Sequence, residues 1–346
     1  MGPRASADKP VQDRFVGVRT GISKRDGPVA NRVSEGQGLL HGPVSLLNRE
    51  VVVPGSTSNL GPGFDAIGLA LQLYLRLRIV AIDEKRRRNI SWSFIDRPLT
   101  GENAIERAFC AIDAEQPVDF PALHIEVSSE IPMLSGLGSS AAAIVAGLRL
   151  YELIAGAQPI DRLLAIATRL EGHPDNAAPS LLGGFVVSAV ADDGRVASIA
   201  SRWPSQLRIV FGRPHVRLET SKARAALPAT VPHGDAVFNL QRVAMLVQSI
   251  AAGDTRGLRE ALRDRLHQPY RAPLVPGLEQ ALALEHPSLI GVFLSGAGPA
   301  VGAVVDDDGE NVVELLKRIY RGLGVDADVG VIGVQQPFLE GSRLKA

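Results

Sequence analysis

Hydrophobic positions recur with two different periods between residues 46 and 335, and the period separates strands from helices. Alternating or β-branched runs predict strands over 50–54, 73–82, 121–132, 182–190, 207–214 and 289–298, with a last one near 328–335. Helical spacing predicts helices over 102–115, 139–156 and 161–172, and others near 236–252, 255–266 and 309–322. The elements mix without the regular spacing of about 30 residues that βαβ units give. The pattern therefore favours an α+β fold over a doubly wound sheet.

Two of the predicted helices carry specific signals. The helix over 139–156 is apolar nearly all round, which is typical of a buried helix. The helix over 161–172 has Asp161 as its predicted N-cap and Gly172 just beyond its end. Glu171 then lies at the C-terminal end of this helix, where the helix dipole disfavours a carboxylate by roughly 0.3–1 kcal/mol.

Composition and charge narrow the class of protein. The chain has 346 residues, enough for one large domain or two ordinary ones. Lys plus Arg and Asp plus Glu both number 37, which argues against a nucleic-acid partner or a polybasic membrane surface. No apolar stretch reaches the ~18 residues of a membrane span. The single cysteine, Cys110, excludes an internal disulfide and has the apolar neighbours of a small buried residue. These features predict an enzyme of the cytoplasm.

The first 45 residues differ from the rest of the chain. They are rich in Gly, Pro, Arg and Ser and have no sustained period, so we predict a flexible extension over 1–45. A second boundary near residue 205, after the sequence SRWPS, divides the remainder into 46–205 and 206–346.

Three glycine-rich segments are candidates for ligand binding. The first, PGSTSNLGPGFDAIGLAL over 54–71, is predicted as a loop between a strand and a helix, where backbone N–H groups can approach a ligand. Within it, Asp65 either binds a substrate ammonium group or caps the helix that follows.

The second segment, PMLSGLGSSAA over 132–142, leads into the predicted buried helix. It lacks the lysine of a Walker loop, and its G-x-G-x-x-A match does not follow directly on a strand as a dinucleotide fold requires. The free N–H groups at a helix N-terminus bind anions, and Ser139 and Ser140 add hydroxyls for phosphate or Mg²⁺. The alternative is a plain turn with N-capping serines.

The third segment, RLEGHPDNAAPSLLGG over 169–184, contains Glu171 and further oxygen donors. A carboxylate placed against the helix dipole suggests a cation site, and Mg²⁺ takes one or two carboxylates together with substrate phosphates. Glu171 could instead be a surface acid, and His173 alone is more often structural than catalytic.

Basic residues later in the chain could bind an anionic substrate. Thr220 and Arg224 are four residues apart on one predicted helical face, and Arg271 lies in a predicted Pro-rich loop. Arginine suits carboxylates through paired hydrogen bonds, although either arginine could be a solvated surface charge. The sequence LSGAGPA over 294–300 predicts a tight glycine turn after a strand.

Taken in this order and spacing, the segments NLGPGFD, PMLSGLGSSAA, EGHPDN and LSGAGPAV resemble the motifs of the GHMP small-molecule kinases, and within them the homoserine kinases. The resemblance extends from about residue 50 to 335. It implies a two-domain α+β fold, with an N-terminal ATP-binding domain over 46–205 and a ferredoxin-like C-terminal domain over 206–346.

The resemblance also implies roles for individual residues. Asn59 would contact the substrate hydroxyl, with Thr220 near the transferring phosphoryl group. The substrate-binding residues would be Asn59, Asp65 (for the ammonium), His173, Asn176, and Arg224 and Arg271 (for the carboxylate). Ser140 and Glu171 would hold Mg²⁺, and Glu171 would be catalytic with Asn59 and Thr220. The ATP phosphates would be wrapped by Pro132, Met133, Leu134, Ser135, Gly136, Leu137, Gly138, Ser139, Ser140, Ala141 and Ala142.

The activity implied is the ATP- and Mg²⁺-dependent phosphorylation of the L-homoserine hydroxyl, a step of threonine biosynthesis. Phosphoryl transfer depends on positioning and charge stabilisation, so in-line transfer without an assigned general base is expected. The resemblance also suggests a homodimer. Three alternatives stay open: a related kinase for mevalonate or a sugar, a Rossmann dehydrogenase, and a non-catalytic protein on the same fold.

Overall fold

The structure is a computed structural model that describes residues 46–96, 98–99 and 101–338, so the predicted extension over 1–45 lies outside the described residues. The strands in this part of the chain are β1 (Glu50–Asn59), β2 (Gly63–Arg87), β3 (Ile90–Phe94), β4 (Pro121–Ser129), β5 (Phe185–Val190), β6 (Val196–Ser201), β7 (Arg208–Pro214), β8 (Leu289–Leu294), β9 (Val301–Val305) and β10 (Ala327–Ile332). The helices are α1 (Ala104–Glu115), α2 (Ser139–Ala155), α3 (Ile160–Glu171), α4 (Pro174–Leu182), α5 (Thr220–Ala225), α6 (His233–Ala252), α7 (Leu258–Ala261), α8 (Gln268–Arg271), α9 (Leu278–Leu282) and α10 (Glu310–Gly322), with a 3₁₀ turn over Ala272–Leu274.

The strands form two sheets. The first has the order β3-β4-β2-β5-β6, with β1 also paired to β2, and only β3 and β4 run parallel. The second has the antiparallel order β10-β7-β9-β8. With helices between β7 and β8 and between β9 and β10, the second sheet has the βαββαβ arrangement of ferredoxin-like folds. The α+β prediction is confirmed.

The first glycine-rich segment is a β-hairpin, so the predicted loop and helix at this place are wrong. β1 continues to Asn59 and β2 starts at Gly63, with a tight turn between them. The reason is an alternation that extends further than the predicted strand: Ile67, Leu69 and Leu71 all point into the core. Asp65 therefore lies on a strand and caps no helix.

The third segment contains a helix, α4, that the hydrophobic pattern did not predict. α4 begins at Pro174, a residue that suits the first helical position, and it buries Ala177, Ala178 and Leu181 in the core. Its approach to β2 needs Gly68, where an added Cβ would meet the Asp175 carbonyl oxygen at 1.8 Å. Close packing of α4 on the first sheet thus places the residues at its N-terminus beside β1 and β2.

Several smaller predictions are also corrected. Pro159, not Asp161, precedes the first turn of α3, whereas Gly172 ends that helix at φ +91° as predicted. The helix expected near 255–266 is only the single turn α7, Arg271 ends a one-turn helix rather than lying in a loop, and Cys110 is exposed. The strands β3 and β6 were not predicted.

The chain beyond β10 returns to the first sheet. Leu71 and Val334 form an isolated bridge, and the N–H of Gly184 donates to the carbonyl of Gln335. The boundary near residue 205 stays a prediction. None of the helices among the described residues has the length and hydrophobicity that crossing a membrane requires.

Candidate active site

The turn after β1 fixes Asn59 with both ends of its amide bonded. Its Nδ2 donates to the carbonyl of Gly296 at 3.0 Å, and its Oδ1 accepts from the N–H of Asp65 at 3.1 Å. The side chain is 2% exposed, and its backbone φ is +70°, a conformation that asparagine tolerates better than most residues. The turn therefore presents Asn59 and Asp65 in a fixed relation.

The second glycine-rich segment is clamped between β1 and the turn after β8. Ser295 Oγ donates to the carbonyl of Gly136 at 2.6 Å. A Cβ on Gly136 would meet the Ser295 carbonyl oxygen at 2.3 Å, and one on Gly138 would meet Ser56 Oγ at 2.3 Å. Both glycines also have φ above +70°, so the loop needs glycine for conformation as well as for space.

The first turn of α2 leaves backbone donors for an anion. The N–H of Ala142 already donates to the carbonyl of Gly138. The N–H groups of Ser139, Ser140 and Ala141 precede this bond, so helix geometry gives them no intrahelical acceptor. The side chains of Leu137, Ala141 and Ala142 point into the core, whereas Met133 and Leu134 are about half exposed. The loop can therefore bind phosphate through its backbone and its serines.

Ser140 and Glu171 come from different helices and meet beside this loop. Ser140 Oγ donates to Glu171 Oε2 at 2.8 Å. α2 begins with Ser139, and α3 ends at Glu171, as expected from the sequence. The pair offers two oxygen ligands beside the N-terminus of α2.

The N-terminus of α4 supplies a second polar group. His173 Nδ1 is hydrogen-bonded to the carboxylate of Asp175, which is 2% exposed. Burial alone would lower the pKa of His173, but the hydrogen bond and charge of Asp175 outweigh burial and raise it. Asn176 accepts from Ser56 Oγ and donates to Ser58 Oγ at 2.9 Å, which ties α4 to β1.

Asp65 and Arg224 form an ion pair with two hydrogen bonds. Arg224 Nη1 and Nη2 lie 2.9 and 2.7 Å from the carboxylate oxygens of Asp65. The side chains of Arg224 and Asp65 are 37% and 34% exposed, and the hydrogen bonds that Arg224 donates to Asp65 raise the pKa of Arg224. The two groups predicted to bind opposite charges of a substrate therefore bind each other in this structure.

Arg271 has a different environment. It is 2% exposed, and it donates from Nε to the carbonyl of Ala223 at 3.2 Å and from Nη1 to that of Gly296 at 3.1 Å. Its Cζ lies 5.2 Å from the centre of the Phe64 ring, and Nη1 lies 3.3 Å from Nδ1 of His267. Burial, followed by the charge of Arg224, lowers the pKa of Arg271 to about 10. Its guanidinium is charged at neutral pH.

These groups line one cavity of about 110 Å³. The predicted residues that line it are Asn59, Asp65, Leu134, Ser135, Gly136, Gly138, Ser139, Ser140, Glu171, His173, Asn176, Thr220, Arg224 and Arg271. Thr220 begins α5 and is exposed. Pro132, Met133, Leu137, Ala141 and Ala142 do not line it.

A second, more apolar cavity of about 350 Å³ shares Leu134, Ser139 and Ser140 with the first. Met133, Leu99 and Ile105 contribute to its wall. Asn103 also lines it: its Oδ1 accepts from the N–H of Ile105 at 3.1 Å, and its buried Nδ2 has no hydrogen-bond partner among the described residues.

Two segments of the chain match known protein families. Residues 103–184 match the family described as GHMP kinases N terminal domain, and residues 246–322 match GHMP kinases C terminal. A curated homoserine kinase of Solibacter usitatus is 41% identical over 276 residues, which cover 78% of this chain and 89% of that protein. The chain belongs to the GHMP kinase family.

Solved structures agree with this assignment. The crystal structure of homoserine kinase from Cytophaga hutchinsonii matches with a TM-score of 0.75 at 25% identity, covering 86% of this chain and 98% of that one. The mevalonate kinase of Methanococcus jannaschii matches with a TM-score of 0.58 at 14% identity, covering 85% and 99%. The predicted two-domain GHMP kinase fold is confirmed, and the fold alone does not select a substrate.

Sequence reasoning missed several residues at or next to this candidate site. The Cζ atoms of Arg224 and Arg271 lie 5.6 and 5.2 Å from the centre of the Phe64 ring, and His267 contacts both Phe64 and Arg271. The four-residue spacing of His267 and Arg271 was a usable signal, because residues four apart share one face of a helix. Asn103 and Asp175 had no comparable signal, since only tertiary packing buries them.

Proposed function

We propose that this GHMP kinase transfers the γ-phosphoryl group of ATP to the hydroxyl of L-homoserine and forms O-phospho-L-homoserine in threonine biosynthesis. The observation that carries the proposal is the meeting of Asp65, Arg224 and Arg271 in one cavity with Asn59. One carboxylate and two guanidinium groups complement a substrate that carries an ammonium and a carboxylate. The curated relative named homoserine kinase supports the same substrate.

Binding of the zwitterion would replace the ion pair between Asp65 and Arg224 by ion pairs with the substrate. The substrate ammonium would bind Asp65, its carboxylate would bind Arg224 and Arg271, and its hydroxyl would lie against Asn59. The pair between Asp65 and Arg224 is more than one-third exposed, so solvent weakens it and its opening costs little. His173 and Asn176 would line the remaining wall, with Thr220 near the phosphoryl group.

The nucleotide would occupy the second cavity and the loop beside it. Apolar side chains there suit a purine ring, and Asn103 Nδ2 is a buried donor available to a ring nitrogen. The phosphates would then reach the N–H groups at the start of α2 from this side. Kinases of this family use ATP, which agrees with a purine-sized cavity next to an anion site.

Magnesium fits Ser140 and Glu171. Both offer hard oxygen ligands, the two atoms are 2.8 Å apart, and the adjoining loop would bring phosphate oxygens as further ligands. When bound, Mg²⁺ would neutralise charge on the β- and γ-phosphates. We expect Glu171→Ala to reduce turnover by at least about 100-fold, whereas the exposed Glu279→Ala on α9 leaves it unchanged. Equal turnover of Glu171→Ala and the native protein would refute the metal role.

Transfer needs no general base among these residues. In the proposed complex the carboxylate of Asp65 is engaged by the substrate ammonium, and the side chain of Asn59 is an amide, which does not take up a proton at neutral pH. We therefore propose direct in-line transfer, in which the substrate oxygen bonds to the γ-phosphorus, the bond to the β-phosphate oxygen breaks and ADP leaves, and the hydroxyl proton passes to an oxygen of the transferred phosphoryl group. The helix N-terminus would stabilise charge on the phosphoryl group, and Asn59 and Arg271 would hold the substrate.

The decisive experiment is a substrate panel. ATP turnover is measured with L-homoserine, mevalonate and galactose under the same conditions. We expect activity with L-homoserine only, because the other two lack the ammonium and carboxylate pair. No turnover with L-homoserine would refute the proposal, and turnover of mevalonate or galactose would establish the alternative kinase. Location in the cytoplasm, a homodimer and the lack of a nucleic-acid partner stay predictions.

A further inference from the structure

His267 lies behind the substrate cavity, and its imidazole has one possible tautomer. The side chain is fully buried, Nε2 is 2.8 Å from the carbonyl oxygen of Gly61, and Nδ1 is 3.3 Å from Nη1 of Arg271. A carbonyl only accepts hydrogen bonds, so Nε2 carries the proton. A guanidinium only donates, so Nδ1 must accept.

The surroundings keep this ring neutral and immobile. Burial, as the largest cause, lowers the pKa of His267, with the charge of Asp264 opposing and that of Arg271 adding to the effect. The ring stacks on Phe64 with a centroid distance of 5.3 Å and an interplanar angle of 29°. The buried carboxylate of Asp264 accepts from the N–H of His267 at 3.0 Å and that of Gln268 at 2.7 Å, which fixes the start of α8.

We propose that His267 is a positioning residue that orients the guanidinium of Arg271 toward the substrate carboxylate. The proposal rests on the proposed function, because it takes Arg271 as the partner of that carboxylate. Arg271 and Asn59 donate to the same carbonyl of Gly296. His267 therefore links the carboxylate end of the proposed substrate site to the hydroxyl end. Its bond to Gly61 links it to the turn between Asn59 on β1 and Asp65 on β2.

Two matched variants separate the two bonds of the ring. His267→Asn retains an acceptor at the position of Nδ1, and His267→Gln retains a donor at the position of Nε2. Steady-state kinetics are measured with L-homoserine and with 3-aminopropan-1-ol, which has the same hydroxyl and ammonium but no carboxylate. We expect His267→Gln to raise the KM for L-homoserine about tenfold, because a hydrogen bond to a charged group is lost.

The other arms of this experiment define a positioning role. His267→Asn should stay within about threefold of the native KM, and both variants should leave kcat/KM for 3-aminopropan-1-ol within about threefold. His233→Gln, on the exposed start of α6, is the control for a histidine substitution. Equal losses for both variants, or equal losses with both substrates, would mean that His267 only supports the fold and would overturn the proposal.

A measurement on the native protein tests the proposal if either variant fails to fold. Nitrogen-15 NMR of histidine-labelled protein reports the protonation of each ring nitrogen. We expect the His267 signal of a neutral ring protonated at Nε2, unchanged when L-homoserine binds. A charged ring, or one protonated at Nδ1, would overturn the proposal. Lack of L-homoserine turnover by the native protein would instead refute the proposed function.

Discussion

The two arginines of the substrate cavity have the same predicted partner but opposite surroundings. Arg224 is 37% exposed and pairs with a carboxylate, whereas Arg271 is 2% exposed and is held by two backbone carbonyls and a neutral imidazole. The first can exchange partners in solvent, and the second cannot move without leaving buried acceptors unpaired. One cavity thus combines an adjustable charge with a fixed one.

The different surroundings of the two arginines shift their pKa values in opposite directions. Hydrogen bonding to Asp65 as acceptor raises the pKa of Arg224, whereas burial lowers the pKa of Arg271 to about 10. A buried cation without a carboxylate partner is costly. In the proposed complex the substrate carboxylate would supply that missing charge, so we expect Arg271 to contribute more to binding than a solvated arginine would.

The largest effect is expected from removing the fixed charge. Arg271→Leu should lower kcat/KM for L-homoserine by roughly 30- to 4,000-fold, which corresponds to about 2–5 kcal/mol for truncating a buried hydrogen-bonded charge. Steady-state kinetics give the value, and thermal unfolding monitors the fold. Arg208→Leu, on the exposed side of β7, is the control. If Arg224→Leu cost more than Arg271→Leu, the contrast between the two arginines would be wrong.

A smaller, substrate-dependent effect is expected from breaking the ion pair. Asp65→Asn should raise the KM for L-homoserine about tenfold, since the ammonium loses a charged partner. The compound 4-hydroxybutyrate has no ammonium. Because Asp65→Asn frees Arg224, this variant should bind 4-hydroxybutyrate up to about fivefold more tightly than the native protein does, as expected for the loss of an exposed ion pair. Competition against L-homoserine measures this binding. Weaker binding of both compounds would show that the pair does not compete with the substrate.

The smallest effect concerns pH and the hydrogen bond between His173 and Asp175. The raised pKa of His173 gives the folded state stability that is fully present below the unfolded pKa and is lost as pH rises through the folded pKa. The native protein should therefore have a larger free energy of unfolding in urea than His173→Gln. This difference should be larger at about pH 5.5 than at about pH 8.5. The exposed His233→Gln serves as control. An equal difference at both pH values would show that Asp175 does not raise the pKa of His173.

The helix elements of the site were more predictable than the strand elements. α2 has an apolar surface all round, and Gly172 ends α3, so the phosphate loop and Glu171 followed from local patterns. The loop prediction for the first glycine-rich segment was wrong because glycines and small polar residues are typical of loops. Pairing of β1 with β2 overrode that local preference and buried Ser56, Thr57 and Ser58 at 1% exposure or less.

The sequence by itself determined the α+β class, the helix start at Ser139 and the set of charged residues that we propose for a zwitterionic substrate. It could do so because periodicity, helix termini and residue chemistry are local properties. Only the tertiary structure decided that Asp65 pairs with Arg224, that a buried His267 holds Arg271, and that one carbonyl, Gly296, serves both Arg271 and Asn59. These contacts join residues up to 237 positions apart, and burial, which sets their strength, depends on the packing of the whole chain.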